Sequence, residues 1–144
     1  MPNPQSFKNH RRFIPLYHVF VFAALAANAA LAGDRLVRAP SGETAIAALT
    51  AVALIVLASY ARSFALRVQD RVIRLEMRLR MQQVLPAELR GRIPEFTPRQ
   101  LIAMRFASDA ELPELAAAVL RDNLQDGQAI KKMIKTWQAD YLRA

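Results

Sequence analysis

The sequence has no cysteine, only four glycines and two histidines, and two long stretches without charge. Without cysteine the chain forms no disulfide bond and offers no thiolate to a metal ion. The glycines are scattered, which leaves no glycine-rich loop of the kind that binds phosphate. No serine has a histidine and an aspartate placed as in a catalytic triad. These absences predict that the protein is not an enzyme.

Charged residues make up 22% of the chain, yet residues 13–32 and residues 44–61 contain no Asp, Glu, Lys or Arg. As helices, these two stretches would be about 30 and 27 Å long, close to the thickness of the hydrocarbon core of a bilayer. A soluble helix that is apolar on every side needs a large protein around it. A chain of 144 residues does not provide one. Both stretches are therefore predicted to be transmembrane helices.

The basic residues around the two stretches predict their orientation. Three Lys or Arg residues precede the first stretch and six closely follow the second, whereas the loop of residues 33–43 contains two. The positive-inside rule then places both termini in the cytoplasm and the loop outside, as in a bacterial inner-membrane protein. The alternative is a secretory signal cleaved after Ala32, although this apolar run is longer than the roughly 7–15 residues usual in such signals.

Residues 62–85 are predicted to continue the second transmembrane helix as a basic amphipathic helix. Two pairs have the i,i+4 spacing of helical ion pairs, Asp70 with Arg74 and Glu76 with Arg80. Apolar residues recur at alternating spacings of three and four, and this stripe comprises Ala65, Val68, Val72, Leu75 and Leu79. It is shorter than three heptads, too short to predict a coiled coil from the sequence.

A proline-rich linker, residues 86–98, is predicted to lead into a small cytoplasmic module of three helices, residues 98–144. The first two helices start at capping boxes and the third follows a turn, at Thr97/Gln100, Ser108/Glu111 and Asp126-Gly127 respectively. The last helix would have an apolar face of Ile130, Met133, Ile134, Trp137 and Tyr141. The predicted fold is thus an all-α membrane protein: a transmembrane hairpin, an extended basic helix and a three-helix bundle.

The net charge of +8 is confined to the segments next to the predicted membrane spans. Residues 1–12 carry +3 and residues 62–92 carry +5, whereas the loop and residues 93–144 are neutral. A nucleic-acid-binding module usually has a basic excess, so nucleic acid is not a predicted partner. Anionic lipid headgroups on the cytoplasmic face are the predicted partner instead. The arginines predicted to contact headgroups or a protein partner are Arg11, Arg12, Arg62, Arg67, Arg71, Arg74 and Arg78. A role in membrane topology alone explains the same residues.

Polar and small residues inside the spans are candidates for helix packing and for ligand binding. Ala23 with Ala27, and Ala47 with Ala51, have the small-xxx-small spacing that allows close helix contact. These alanines are predicted to pack within the hairpin or against another membrane protein. Asn28 is predicted to hydrogen-bond between helices. His18 could ligate a haem or chlorophyll-type metal, bond to the other helix or reach headgroups; no cofactor is predicted otherwise.

Four segments together resemble a family of small bacterial two-pass membrane proteins of unknown function: residues 5–18, 61–80, 100–120 and 129–143. The more specific elements are Lys-Asn-His-Arg-Arg at residues 8–12, Arg-Phe-Ala-Ser-Asp at 105–109 and Lys-Thr-Trp-Gln-Ala-Asp-Tyr at 135–141. The resemblance implies two membrane spans. It implies no activity, cofactor or catalytic residue.

The sequence therefore predicts a non-enzymatic integral membrane protein. Its hairpin would present the cytoplasmic module to another membrane protein, as an accessory or interaction subunit of a larger complex. Two alternatives stay open. One is a cofactor-binding membrane subunit that uses His18, and the other is a sensor of anionic lipid surfaces that uses the arginine stripe.

Overall fold

The computed structural model describes residues 5–7, 9 and 14–140, and the regular structure in this part is helical. Strand-like pairing among these residues is limited to one bridge, between Ala107 and Trp137. The all-α prediction is confirmed for the described residues. The chain divides into two compact units, which we call the hairpin (residues 13–66) and the module (residues 1–12 and 67–144).

The hairpin contains a π-helical turn, Leu16–Val21, that runs directly into helix α1, Phe22–Arg38. Helix α2, Gly42–Val84, begins after a break of only three residues. The predicted loop of residues 33–43 is therefore wrong in extent, because α1 continues well past Ala32. A salt bridge of 2.7 Å between Asp34 and Arg38, one turn apart, stabilises this polar end of the helix.

Local chemistry explains the break between α1 and α2. Pro40 disfavours a helical conformation at the preceding residue, and Ala39 indeed leaves the helix with φ −140°. Ser41 and Thr44 then cap the start of α2 reciprocally. The Ser41 amide donates to Thr44 Oγ1 at 2.9 Å, and the Thr44 amide donates to Ser41 Oγ at 3.2 Å.

Each helix of the hairpin contacts the other through one narrow stripe of residues. The hydroxyl of Tyr17, near the start of the first helix, donates to the carbonyl of Ala58 in α2, as an antiparallel pair requires. The side chains shielded from solvent recur at spacings of three and four, and they are Leu25, Ala29, Ala32 and Leu36 in α1 and Ala48, Ala51, Ile55 and Ala58 in α2. Ala51 is the most deeply buried, at 1% exposure.

Four of the five residues predicted to pack between the helices lie outside this contact stripe. Ala51 is buried, but Ala23, Ala27, Asn28 and Ala47 are exposed. The three-residue connection sets the register of the two helices, and that register selects Leu25 and Ala29 in place of the small-xxx-small pair. The prediction that these four residues pack between the two helices of the hairpin is therefore wrong. Their use against another membrane protein stays a prediction.

Both helices of the hairpin are long and apolar enough to cross a membrane, by length and composition. The stretches span Leu16–Arg38 and Gly42–Val84, with mean hydropathies of 1.6 and 2.1 in their most apolar windows. Only 6% of each window is buried inside the protein. A helix of this composition in the core of a soluble protein would be mostly buried, so the chain itself does not cover these side chains.

The second part of α2 belongs to the module, as the predicted unbroken helix requires. It is followed by helix α3, Ala87–Arg90, a 3₁₀ turn, Ile93–Glu95, and helices α4, Pro98–Met104, α5, Leu112–Arg121, and α6, Gly127–Met133. One hydrophobic core joins them, and its buried residues are Ile73, Met77, Met81, Leu85, Ile93, Phe96, Leu101, Ala103, Met104, Ala107, Leu112, Leu115, Ala116, Val119 and Ile130.

The segment predicted as a linker, residues 86–98, is part of this core. Leu85, Ile93 and Phe96 are almost completely buried. The prolines do not separate two bodies here. Pro86 precedes the first residue of α3, and Pro94 lies at the start of the 3₁₀ turn, where a missing amide hydrogen leaves no helical bond unmade.

The three predicted helices after the linker exist, but only some of their ends were predicted correctly. The capping box of Thr97 and Gln100 starts α4, and the side chain of Asp126 caps α6. The second predicted box is wrong, because α5 begins at Leu112 and Glu111 makes no side-chain cap. The last helix ends at Met133, so the predicted apolar face does not extend to Trp137; Tyr141 lies outside the described residues.

Candidate functional site

Residues 134–140, which we call the strap, run without helical structure beside residues 105–108 of the module. The Gln138 amide donates to the Phe106 carbonyl at 2.7 Å, and the Ser108 amide donates to the Thr136 carbonyl at 3.2 Å. These two bonds flank the bridge between Ala107 and Trp137. They satisfy backbone groups that would otherwise need helical partners, which explains why the chain leaves the helix after α6.

Arg80 on α2 connects this pair of segments to the long helix. Its Nε donates to Asp109 Oδ1 at 2.6 Å, and its Nη2 donates to the Ala107 carbonyl at 2.6 Å and to Gln138 Oε1 at 2.9 Å. Its Nη1 donates to the Arg105 carbonyl at 3.2 Å. The planar guanidinium thus binds both segments at once, which an ammonium group could not do with the same geometry.

These contacts replace the ion pairs predicted along α2. Arg80 pairs with Asp109 and not with Glu76, and the ion pairs within the described ranges do not include one between Asp70 and Arg74. An exposed i,i+4 pair contributes only about 0.3–0.5 kcal/mol. The multiple bonds available to Arg80 within the module therefore outweigh it.

The end of the strap is bound by an ion pair and by a glutamine from the N-terminal segment. Arg105 Nε donates to Asp140 Oδ2 at 3.0 Å, and the Arg105 side chain is only 7% exposed. Gln5 binds the backbone of Asp140 at two points. Its Oε1 accepts from the Asp140 amide at 2.7 Å, and its Nε2 donates to the Asp140 carbonyl at 3.0 Å. This pairing joins residues from the two ends of the chain.

The start of the strap is bound by Glu111. The two carboxylate oxygens accept from the amides of Lys135 and Thr136, at 2.8 and 2.9 Å. Charged hydrogen bonds of this kind are stronger than neutral ones. The capping-box pattern predicted that Glu111 stabilises the start of its own helix. Glu111 instead stabilises a distant segment.

An aromatic stack fills the middle of the strap. The rings of Phe106 and Trp137 lie 4.3 Å apart at an interplanar angle of 15°. The Arg105 guanidinium carbon is 4.1 Å from the Phe106 ring centre, and Lys131 Nζ is 5.4 Å from it. Cations over an aromatic face are attracted by its quadrupole. Trp137 is the single tryptophan of the chain, which makes its fluorescence a specific probe of the strap.

A cleft of about 280 Å³ lies between α2 and the strap. Its described lining combines apolar side chains with amide and charged groups, from Gln69, Val72, Ile73, Glu76, Met77, Arg80, Arg105, Gln138, Ala139 and Asp140. This part of the lining includes no Ser, Thr, His, Lys or Cys that could act as a nucleophile. The two arginines are bound to Asp109 and Asp140.

The arginines predicted to contact lipid or a partner do not converge on this cleft. Arg67, Arg71 and Arg78 are exposed on α2, whereas Arg74 and, in the hairpin, Arg62 are half-buried. Arg11 and Arg12 lie outside the described residues. Binding of these arginines to headgroups stays a prediction.

His18 is half-buried within the π-helical turn of the hairpin. Its Nδ1 lies 2.9 Å from the carbonyl oxygen of Ile14, and its ring meets that of Tyr17 edge-on at 5.4 Å. Among the residues that the structure describes, no group of three or more His, Asp or Glu side chains is placed to hold a metal ion. A role of His18 in cofactor binding stays a prediction.

The contacts that Arg80, Arg105, Glu111 and Gln5 make with distant segments are not visible in any single segment of the sequence. The partners described above are at least 24 residues away along the chain, although Arg105 also donates to the carbonyl of Ile102. One signal does point to the strap: the specific motif element at residues 105–109 lies beside the described part of the element at residues 135–141.

Comparison with known protein families matches residues 1–144 to DUF6526, described as a family of unknown function. The chain belongs to this family. Membership in DUF6526 confirms the predicted relation to an uncharacterised family and covers the hairpin as well as the strap. No curated protein and no solved structure matches the DUF6526 chain.

Proposed function

We propose that this DUF6526 protein is a non-enzymatic membrane protein that anchors a helical module at the cytoplasmic face and binds a second membrane protein. In this role it is an accessory subunit of a larger complex. The hairpin is the anchor, both termini are cytoplasmic, and the module with its strap is the part that a cytoplasmic surface of the complex meets.

The exposed apolar surface of the hairpin supports the membrane anchor. Leu49 and Leu57 in α2 are 70% and 64% exposed, and Leu31 in α1 is 60% exposed. Burying a leucine side chain is worth about 1.5–3 kcal/mol, so leaving many of them in water would be strongly unfavourable. Lipid chains cover such side chains without any further protein.

The side-chain hydroxyl groups of α2 also support a lipid environment for the hairpin. The polar hydroxyl groups of α2 bond to carbonyls of their own helix, one turn earlier. Thr50, Ser59 and Ser63 each donate at 2.8 Å, to Ile46, Ile55 and Ser59 respectively. Within a bilayer no water is present to bind these groups, so internal bonding of this kind is needed.

Asn28 is the observation that carries the proposed binding of another membrane protein. It lies in the middle of α1 and is exposed, and its side chain makes no hydrogen bond to any other described residue. An amide in hydrocarbon without a partner is unfavourable, and asparagines in transmembrane helices commonly bond to a neighbouring helix. Because α2 does not supply that bond, a helix of another protein is the natural source.

Two experiments test the proposal. Membranes from cells that produce the protein are extracted with alkaline carbonate, and protease access reports the side on which the termini lie. We expect the chain to stay in the membrane with both ends cytoplasmic. Release into the soluble fraction, or recovery of a chain that begins at Gly33, would contradict the anchor.

The partner is tested by affinity purification in a mild detergent, with Asn28→Leu compared with wild type. We expect a membrane protein that copurifies with wild type and is lost with the variant. Ser59→Leu is the matched control, because it also replaces an exposed polar residue by leucine but removes a hydroxyl already bonded to its own helix. Equal copurification with both variants, or none with wild type, would count against a partner at Asn28.

A second candidate function is favoured by the exposure of Arg71 and Arg78 on α2. Arginines near a membrane surface contribute about 1 kcal/mol each to the binding of anionic lipid. In nanodiscs, we expect replacement of both arginines by glutamine to lower the amount of anionic lipid that stays bound to the protein. The difference from wild type should become smaller at high salt. Retention that does not depend on these arginines would leave the protein-binding role alone.

A further inference from the structure

The second part of α2 has an apolar stripe on the side of the helix opposite to the core of the module. Ile73, Met77 and Met81 point into that core and are almost completely buried. The opposite side carries four large apolar residues with exposures of 62%, 48%, 61% and 57%, namely Val68, Val72, Leu75 and Leu79. Val72 lies at the edge of this side and also lines the cleft beside the strap. An apolar stripe of this size on a helix that is already packed on its other side indicates a second binding surface.

The stripe has the spacing of a two-stranded coiled coil. Its residues alternate at intervals of four and three, which assigns Val72 and Leu79 to heptad positions a, and Val68 and Leu75 to positions d. Val72 and Leu75 have the combination of valine at a and leucine at d that favours two helices, whereas Leu79 at a and Val68 at d do not. Ala65 continues the pattern one position a earlier.

Charged residues on the two flanks make the stripe complementary to itself. In this register Arg71 occupies position g and Glu76 occupies position e, on opposite sides of the stripe, and both are exposed. In a parallel pair of helices, a g residue faces the e residue five positions later on the other helix. Arg71 of each copy therefore meets Glu76 of the other copy. An antiparallel pair would place Arg71 beside Arg78, with repulsion between like charges.

We propose that a second copy of this chain binds along this stripe, so that the protein is a parallel dimer through α2. The parallel orientation rests on the proposed function, because two copies inserted in one membrane with the same topology present α2 in the same direction. Confinement to a membrane also raises the effective concentration of the two helices. That confinement allows a stripe of two heptads to pair, although it is too short for an isolated coiled coil.

A lipid surface is a poorer occupant of the stripe than a second helix. The stripe is flanked by charges of both signs, Arg71 on one side and Glu76 on the other. An anionic lipid surface attracts only the first of these residues. A second copy of the chain offers an opposite charge to both.

Cysteine cross-linking in membranes tests the dimer directly, because the natural chain has no cysteine. Single substitutions Val68→Cys, Leu75→Cys and Leu79→Cys in the full chain are oxidised with a copper catalyst. In a parallel dimer each position meets its own copy, so we expect each variant to give a covalent dimer of twice the monomer mass. Asp70→Cys, exposed on the same helix but outside the stripe, is the control and should stay monomeric.

Three outcomes of this experiment would overturn the proposal. One is the absence of a covalent dimer at every stripe position. Another is a product that forms only when Val68→Cys and Leu79→Cys chains are mixed, since this indicates an antiparallel pair. The last is an adduct with a mass other than twice the monomer, which indicates that a different protein occupies the stripe.

A charge exchange tests the pairing of Arg71 with Glu76. In the Leu75→Cys background, we expect Arg71→Glu or Glu76→Arg to lower the yield of covalent dimer by about fivefold, as two exposed ion pairs become repulsive. The double variant with both changes restores attraction and should recover most of the yield. A double variant no better than either single one would contradict this contact.

Carbonate extraction of the same cysteine variants separates the two proposals. If the chain stays in the membrane but gives no dimer, the dimer fails and the anchor stands. If the chain is released, the proposed anchor fails, and the parallel dimer loses its basis with it unless the released chain still gives the same cross-links.

Discussion

Leucine has opposite surroundings in the two units of this protein. Leu49 in the hairpin is 70% exposed, whereas Leu101 in the module is completely buried. The hairpin leaves most of its apolar side chains uncovered, and the hydroxyl groups of Thr50, Ser59 and Ser63 bond within α2 itself. The module covers its apolar side chains and satisfies Arg80, Arg105 and Glu111 through contacts distant in sequence. This is the difference expected between the proposed membrane anchor and a module with its own hydrophobic core.

The largest effect should come from removing a buried leucine of the module. We expect Leu101→Ala to lower the free energy of unfolding of the module by about 3 kcal/mol, because it leaves a cavity in the core. The matched change Leu49→Ala in the hairpin should alter it by less than about 0.5 kcal/mol. Denaturant unfolding in detergent, followed by the fluorescence of Trp137, measures both. Similar losses would mean that the two units do not differ in the way described.

Loss of the Arg80 contacts should have the next largest effect. We expect Arg80→Met to destabilise the module by about 2 kcal/mol, because it leaves Asp109 and two backbone carbonyls without their partner. Arg78→Met, on the exposed side of the same helix, should cost less than about 0.5 kcal/mol. The shift of Trp137 emission with temperature reports when the strap separates. If both variants behave alike, Arg80 is not the residue that binds the strap.

The contact within the hairpin should respond to overpacking at Ala51. We expect Ala51→Leu to destabilise the hairpin by about 1–3 kcal/mol, because its methyl group is already enclosed by the partner helix. Ala47→Leu adds the same side chain on an exposed side of α2 and should have little effect. Circular dichroism at 222 nm during heating in detergent compares the two. A larger effect at Ala47 would contradict the register described here.

The smallest effect concerns an exposed ion pair at the 3₁₀ turn of the module. Arg92 donates to both carboxylate oxygens of Glu95, at 3.0 and 2.8 Å. The hydrogen bond from Arg92 lowers the pKa of Glu95 below its usual value of 4.5. The pair therefore contributes to stability above about pH 4.5, and the contribution is lost as pH falls through the lowered pKa.

We accordingly expect Glu95→Gln to be slightly less stable than wild type at pH 7 and equal to it in strong acid. Equilibrium unfolding at a series of pH values measures this difference. Glu88→Gln is the control and should show no such convergence, since no ion pair of Glu88 occurs within the described ranges. A difference at pH 7 that persists unchanged at pH 2 would show that the ion pair is not its cause.

The sequence was sufficient where a structure depends on near neighbours in the chain. The uncharged runs predicted the apolar helices, the spacing of Thr97 and Gln100 predicted the start of α4, and the absence of breakers after residue 61 predicted one continuous helix to the end of α2. Each of these features is determined within a few turns of helix, by propensity, capping and hydrophobic pattern.

The predictions failed where distant groups compete with local ones. Ser108 and Glu111 have the spacing of a capping box, but Glu111 binds the amides of Lys135 and Thr136 instead. Trp137 fits the periodicity of α6, but its ring stacks on Phe106 and its backbone leaves the helix. A sequence pattern contains no information about the strength of such distant contacts.

The sequence by itself determined that the chain has two apolar helices, a basic boundary and a neutral helical module. Tertiary structure alone decided which arginines are bound and which are exposed. Arg80 and Arg78 differ by only two positions, yet one joins two distant segments and the other does not contact the strap. The physical reason is that charge and hydrophobic periodicity are local properties, whereas the multiple bonds around Arg80 exist only after the core has brought α2 and the strap together.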